Sequence, residues 1–170
     1  NGQIGIYMDP SGNLYIADAN NHRIQKWSPG ATSGITVAGG NGAGPAANQL
    51  NLPTGVCVDG SGNVYIADQR NQRIQKWAPG ATSGTTVAGV TGSAGSSSNR
   101  FSDPWDVWVD GSGTMYIADY LNNRIQKWTA GASSGTTMAG SGSGANQVTR
   151  PIGLFMDGSG SLYIADQLNY

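Results

Sequence analysis

The chain has 170 residues, nine basic and ten acidic, for a net charge of −1, so no global field draws it toward nucleic acid or an anionic membrane. No apolar run nears the roughly 18 residues of a membrane span, and no signal-peptide pattern is read. The single cysteine, Cys57, cannot form an intrachain disulfide, and the absence of Glu among so many Gly, Ser, Thr and Asn residues excludes a helical solenoid.

In chain order, turn-formers punctuate short apolar runs from the start. The first copy of the pattern predicts strands at 4–8, 14–17, 23–27 and 35–38, and the second at 55–59, 64–67, 73–77 and 85–88. The third predicts 106–109, 115–118, 124–128 and 136–139, and a fourth supplies only 153–156 and 162–165. The unit Tyr-Ile-Ala-Asp followed by Arg-Ile-Gln-Lys-Trp recurs nearly unchanged. Its markers Asp18, Asp68, Asp119 and Asp166 stand 50, 51 and 47 residues apart, the period of solenoids and propellers. Residues 9–39 and 59–89 differ at only seven of 31 positions.

Runs such as Gly55-Val56-Cys57-Val58 are apolar without alternation, so both faces need cover. Four-stranded antiparallel sheets packed between others of their kind are propeller blades. The expectation is an all-β chain, one β-propeller domain over 1–170, with blades at about 3–39, 53–89 and 104–140 and a half blade at 151–170. Segments 40–52, 90–103 and 141–150 then cross from the outer strand of one blade to the inner strand of the next. Cys57, at the position held by Tyr7, Trp108 and Phe155 in the other copies, is expected to be a buried thiol.

The second copy, from Pro53 through Gly55-Val56, Val58-Asp59-Gly60-Ser61-Gly62-Asn63-Val64-Tyr65-Ile66-Ala67-Asp68 and Asn71 to Arg73-Ile74-Gln75-Lys76-Trp77, closely resembles the NHL repeat. The first copy even keeps Asn21-His22, with Arg23 where the eponymous Leu would stand. The resemblance implies a β-propeller, usually of six blades and generally a binding platform.

Asp18 and Arg23, like Asp68 and Arg73 or Asp119 and Arg124, lie five apart across a tight turn. An Asp that accepts turn amides and pairs with Arg, with Asn21, Asn71 or Asn122 as a left-handed corner, pins such a hairpin. Trp27, Trp77 and Trp128 are expected to wedge between sheets. Asp59-Gly60-Ser61-Gly62-Asn63 reads as a hairpin turn, since it lacks the carboxylates of a calcium loop.

The turns after the first and third strands hardly change between copies, and both belong to one rim. On the other rim the copies differ: Ala19-Asn20, Gln69-Arg70, Tyr120-Leu121 and Gln167-Leu168 are equivalent, as are Ile4, Thr54, Trp105 and Ile152. Asp106 replaces the Gly found at 5, 55 and 153, and Arg70, Arg100 and Arg150 fall on this side. Variable loops on a constant frame are what a ligand surface looks like. Trp105, Asp106, Tyr120, Arg70, Thr54 and Ile152 are therefore the candidate residues for a protein or carbohydrate partner.

The lyase and lactonase propellers that the resemblance brings to mind depend on metal ligands, chiefly His in one case and Glu, Asn and Asp in the other. With one His, His22, and no Glu, no catalytic residue, metal or cofactor is expected, nor is nucleic acid or membrane. The chain opens on Asn1 and stops within a repeat, so further repeats or self-association are expected to complete the propeller. A structural subunit of an extracellular fibre is the alternative to a binding platform, and the sparsely charged composition points to an extracellular or cell-surface protein.

Overall fold

A computed structural model describes residues 5–140 and 147–168. The expected strand start at Ile4, part of the third crossing and the final Asn169 and Tyr170 lie outside the described residues. The chain is all-β. The strands β1 (Ile6–Met8), β2 (Leu14–Asp18), β3 (Arg23–Trp27) and β4 (Ile35–Gly39) form one antiparallel sheet in sequence order. A second sheet holds β5 (Pro53–Val58), β6 (Val64–Asp68), β7 (Arg73–Trp77) and β8 (Thr85–Gly89), and a third β9 (Pro104–Val109), β10 (Met115–Asp119), β11 (Arg124–Trp128) and β12 (Thr136–Ala139). Two strands, β13 (Pro151–Met156) and β14 (Leu162–Asp166), make the described part of the fourth.

The inner strands start at Pro53, Pro104 and Pro151, two residues earlier than the apolar pattern predicts. Proline donates no ladder bond, and a register shift between Pro53 and Val56 absorbs the misfit, so the strand begins before its regular pairing does.

Register explains why the strands do not alternate between apolar and polar. In the second sheet Val56, Val58, Val64, Ile66 and Trp77 share one face, and Cys57, Tyr65, Ala67, Ile74 and Ala88 share the other. The first face packs on Tyr15, Ala17, Ile24 and Ala38 of the preceding blade. The second packs on Val107, Val109, Met115, Ile117 and Trp128 of the next. Every joint is thus the same pair of unlike faces. Leu50, Phe101 and Val148, each three residues before an inner-strand proline, are buried where the crossing meets the joint. Cys57 is 1 % exposed, and burial pushes its thiol up to about 12, so it is a packing residue.

Two sequence expectations about the motif need correction. Asn21, Asn71 and Asn122 are not the left-handed corners: they end a short 310 turn, and the next residues, His22, Gln72 and Asn123, carry φ of 53°, 58° and 52°. And Trp27 does not match its equivalents, being half-buried where Trp77 and Trp128 are 2 % exposed, because no described sheet lies against its face.

Candidate functional site

The repeated Asp and Arg do more than hold a hairpin. Asp68 Oδ2 accepts from Arg73 Nε at 2.8 Å and from Asn71 Nδ2 at 2.8 Å, while its Oδ1 accepts from the Asn51 backbone at 2.7 Å, in the crossing from the preceding blade. The turn amides are not its partners. Arg73 then donates to the carbonyls of Pro45, Ala46 and Gln49, and Asn71 to that of Gly44. Asp119, Asn122 and Arg124 repeat the set on Ser102, Gly95, Ser96, Ser97 and Arg100. The motif is a clamp on the incoming crossing. Burial pushes the Asp68 carboxyl up against the pull of Asn71, the Asn51 amide and Arg73, as expected where desolvation outweighs attraction.

A second device runs the other way. His22 Nδ1 accepts from the Leu52 backbone at 3.2 Å, Gln72 Oε1 from Asp103 at 2.8 Å and Asn123 Oδ1 from Arg150 at 3.0 Å. The one imidazole in the chain is thus engaged in a blade-to-crossing latch, at a position where Gln and Asn serve equally. The turns at Asp9, Asp59, Asp110 and Asp157 are closed by their own carboxylates, which accept from amides two and four residues on. Among the described residues no group of three or more His, Cys, Asp or Glu side chains is placed to hold a metal.

The six rim candidates separate into distinct places. Trp105 and Tyr120 come together, their ring centroids 4.7 Å apart, and the Arg150 guanidinium lies 5.7 Å from the Tyr120 centroid. The Tyr120 hydroxyl donates to Gln167 Oε1 at 3.1 Å, joining equivalent turns of two successive blades. Thr54 is buried and its hydroxyl donates to the Pro104 carbonyl at 3.4 Å, which makes it a strut between inner strands. Arg70 sits in the turn of the second blade, its backbone amide held by the Asn51 carbonyl, and Ile152 is half-buried on β13.

Asp106 follows Trp105 at a register shift in β9, where Asp119 pairs with Pro104 and Ala118 with Asp106. Its Oδ2 accepts from the Leu154 backbone at 2.8 Å, in the fourth blade, and its Oδ1 from Val107 at 2.9 Å. Any Cβ at Gly55 would collide with that carboxylate and with the β9 backbone, which is why the preceding inner strand has glycine there. Burial pushes the Asp106 carboxyl up to about 7 despite its two amide donors. It borders a cavity of about 730 Å³ at the inner strands, with Gly5, Tyr7, Trp108, Leu154 and Phe155 in its wall. Tyr7, Trp108 and Phe155, which the sequence marks only as the equivalents of Cys57, supply its aromatic wall. Its signal was the two-residue strand period, which puts residues 106 and 108 on one face.

The NHL repeat profile matches residues 4–27 and 50–77. No curated protein sequence matches the chain. Among solved structures it resembles an auxiliary nutrient binding protein from Bacteroides thetaiotaomicron, with 17 % identity and a TM-score of 0.69 over 95 % of this chain and 44 % of that one. It also resembles a Xanthomonas campestris gluconolactonase, at 14 % identity and a TM-score of 0.70, covering 97 % and 55 %. A catalytically inactive variant of virginiamycin B lyase from Staphylococcus aureus matches at 12 % identity and 0.64, covering 98 % and 50 %. The chain spans about half the length of each of these structures. Their likeness is one of fold, and with the sheet topology it fixes the architecture: the sheets are successive blades of a β-propeller, and residues 4–27 and 50–77 of this chain match the NHL repeat.

Proposed function

We propose that the chain is a non-enzymatic, extracellular binding scaffold whose variable rim takes a protein or carbohydrate partner at Trp105 and Tyr120. The observation that carries this reading is the contact of the two rings, tilted at 38°, with the Arg150 cation over one of them, on the rim where the copies of the repeat differ. An aromatic pair beside a cation and an amide suits sugar faces and peptide side chains alike. The solved neighbour described as a nutrient binding protein supports it as a fold put to binding. The engaged His22 and the spread of carboxylates through structural turns support the non-enzymatic side. A partner captured by the intact protein is expected to bind Trp105→Ala and Tyr120→Ala variants at least about tenfold more weakly, by titration calorimetry. Undiminished binding by both folded variants would sink the reading.

A second reading, end-to-end association into a fibre or other assembly, is favoured by the outer faces of the described sheets. Ile6 and Met8 are 61 % and 67 % exposed, where the equivalent Val56 and Val58 are 5 % and 6 %. Phe155 and Tyr163, 55 % and 57 % exposed, present the other partner face of the same joint. On this reading the sedimentation coefficient rises with concentration and Met8→Lys abolishes the rise. A concentration-independent coefficient overturns it.

A further inference from the structure

We propose that the cavity at the inner strands is a binding site for a small organic cation, a primary to quaternary amine, held between the Asp106 carboxylate and an aromatic wall of Trp108, Tyr7 and Phe155. Its lining does not include Trp105 or Tyr120.

Three observations meet there. The first is charge: the described lining contains two carboxylates, Asp9 and Asp106, and no Lys, Arg or His. An unbalanced pair of acids in a partly enclosed space favours positive charge. The second is the wall. The Trp108 ring stands 6.1 Å from that of Tyr7, tilted at 58°, and 5.4 Å from that of Phe155, at 68°. All three aromatic residues line the cavity, and aromatic rings bordering such a space can attract alkylammonium groups to their faces. The contact of Tyr7 with Trp108 joins the first blade to the third, reaching over Cys57, the one small residue at this position in the four copies. The third is Asp106 itself. Glycine stands at this position in the other three inner strands, so the blade does not need a carboxylate to fold, and each of its oxygens has a lone pair left after the amides of Leu154 and Val107 are served.

The cavity, about 730 Å³, lies within the range of small-molecule sites. A ligand of choline size would place its ammonium head between carboxylate and indole, with any polar tail toward the open side. The binding form is the ionised one. Burial holds the Asp106 proton up to about pH 7, and an incoming cation displaces it, so affinity rises with pH toward neutrality and levels off above it. Of the other titratable groups at the cavity, burial holds the Tyr7 phenol above its ordinary value and therefore neutral. At Asp9 burial is the largest single influence and acts upward, but the donors Asn13 and Ser11 and the nearby Lys26 together outweigh it and hold the carboxyl below its ordinary value, so it stays ionised.

The test is calorimetric titration of the intact protein with choline and with its neutral isostere 3,3-dimethylbutan-1-ol. Choline is expected to bind saturably and at least about tenfold more tightly than the isostere, more tightly at pH 8 than at pH 5. Asp106→Gly, which restores the residue of the other inner strands, is expected to remove that preference while the circular dichroism stays unchanged. Equal affinity for the two probes, no saturable binding of choline, or unaltered choline binding by folded Asp106→Gly overturns the proposal. If Asp106→Gly does not fold, Trp108→Leu replaces it, with the same loss of choline preference expected.

Discussion

Asp68→Ala is expected to destabilise the chain by about 3–5 kcal/mol, a large share of the 5–15 kcal/mol that holds a typical domain together. The reason is not that the Asp68–Arg73 pair is strong. Burial of the carboxylate costs enough to push its proton affinity up, so the pair roughly offsets its own desolvation. Breaking one half is what costs. Without Asp68 the Arg73 guanidinium stays in place, 3 % exposed and tied to three crossing carbonyls, with no counter-charge. The Asn51 amide loses its acceptor in the same step. The identical motif supplies the control. Asp18 and Arg23 also pair at 2.8 Å, but their side chains are 28 % and 34 % exposed, and a pair that wet contributes about 0–1 kcal/mol. Urea denaturation of Asp68→Ala and Asp18→Ala should therefore give strongly unequal midpoints. Equal losses would mean that the hairpin, not the crossing, is what the motif holds.

That asymmetry shows where the sequence was legible. The repeat period, the four-strand unit and the apolar runs without alternation were enough for the blades, because each is a local pattern read against a fixed geometry. The partners of Asp68 were not legible, since Asn51, Pro45 and Gln49 lie in a Gly-, Ala- and Asn-rich segment that reads as a crossing between blades but carries no pattern that assigns its contacts. Nothing in the spacing of five between Asp and Arg says that a loop some 25 residues upstream runs beneath them. The rim shows the same limit. Copy-to-copy differences grouped Trp105, Tyr120 and Asp106; the structure sets the Trp105 and Tyr120 rings side by side, while the Asp106 carboxylate turns to the Leu154 amide of the next blade. Thr54 was marked by its variability and proves to be a strut, because an inner strand at the crowded centre carries packing differences between blades as well as surface ones.

Trp128→Ala is expected to cost about 3–5 kcal/mol and to lower Tm by roughly 10 °C for a chain of this size, against a much smaller loss for Trp27→Ala. Trp128 is buried in the joint between the second and third blades, its ring 5.4 Å from that of Phe101, and its Nε1 donates to the Ala132 carbonyl at 2.9 Å. Truncation removes the largest side chain in that joint and leaves a void that neighbouring strands, bonded on both edges, cannot close. A finer comparison separates the ring from its N–H. Trp77 occupies the same place in the preceding joint and is as deeply buried, but among the described residues its Nε1 finds no hydrogen-bond partner, nor does the nearby Gln75 Oε1. An unpaired buried donor is a cost that phenylalanine does not carry. Trp77→Phe should then be nearly neutral, the smaller ring offset by relief of the unsatisfied N–H, whereas Trp128→Phe loses both volume and the bond to Ala132. The order of denaturation midpoints expected is wild type and Trp77→Phe together, then Trp128→Phe, then Trp128→Ala. A Trp77→Phe variant as weak as Trp128→Phe would show that the indole N–H of Trp77 is satisfied after all, and that the two joints are energetically alike.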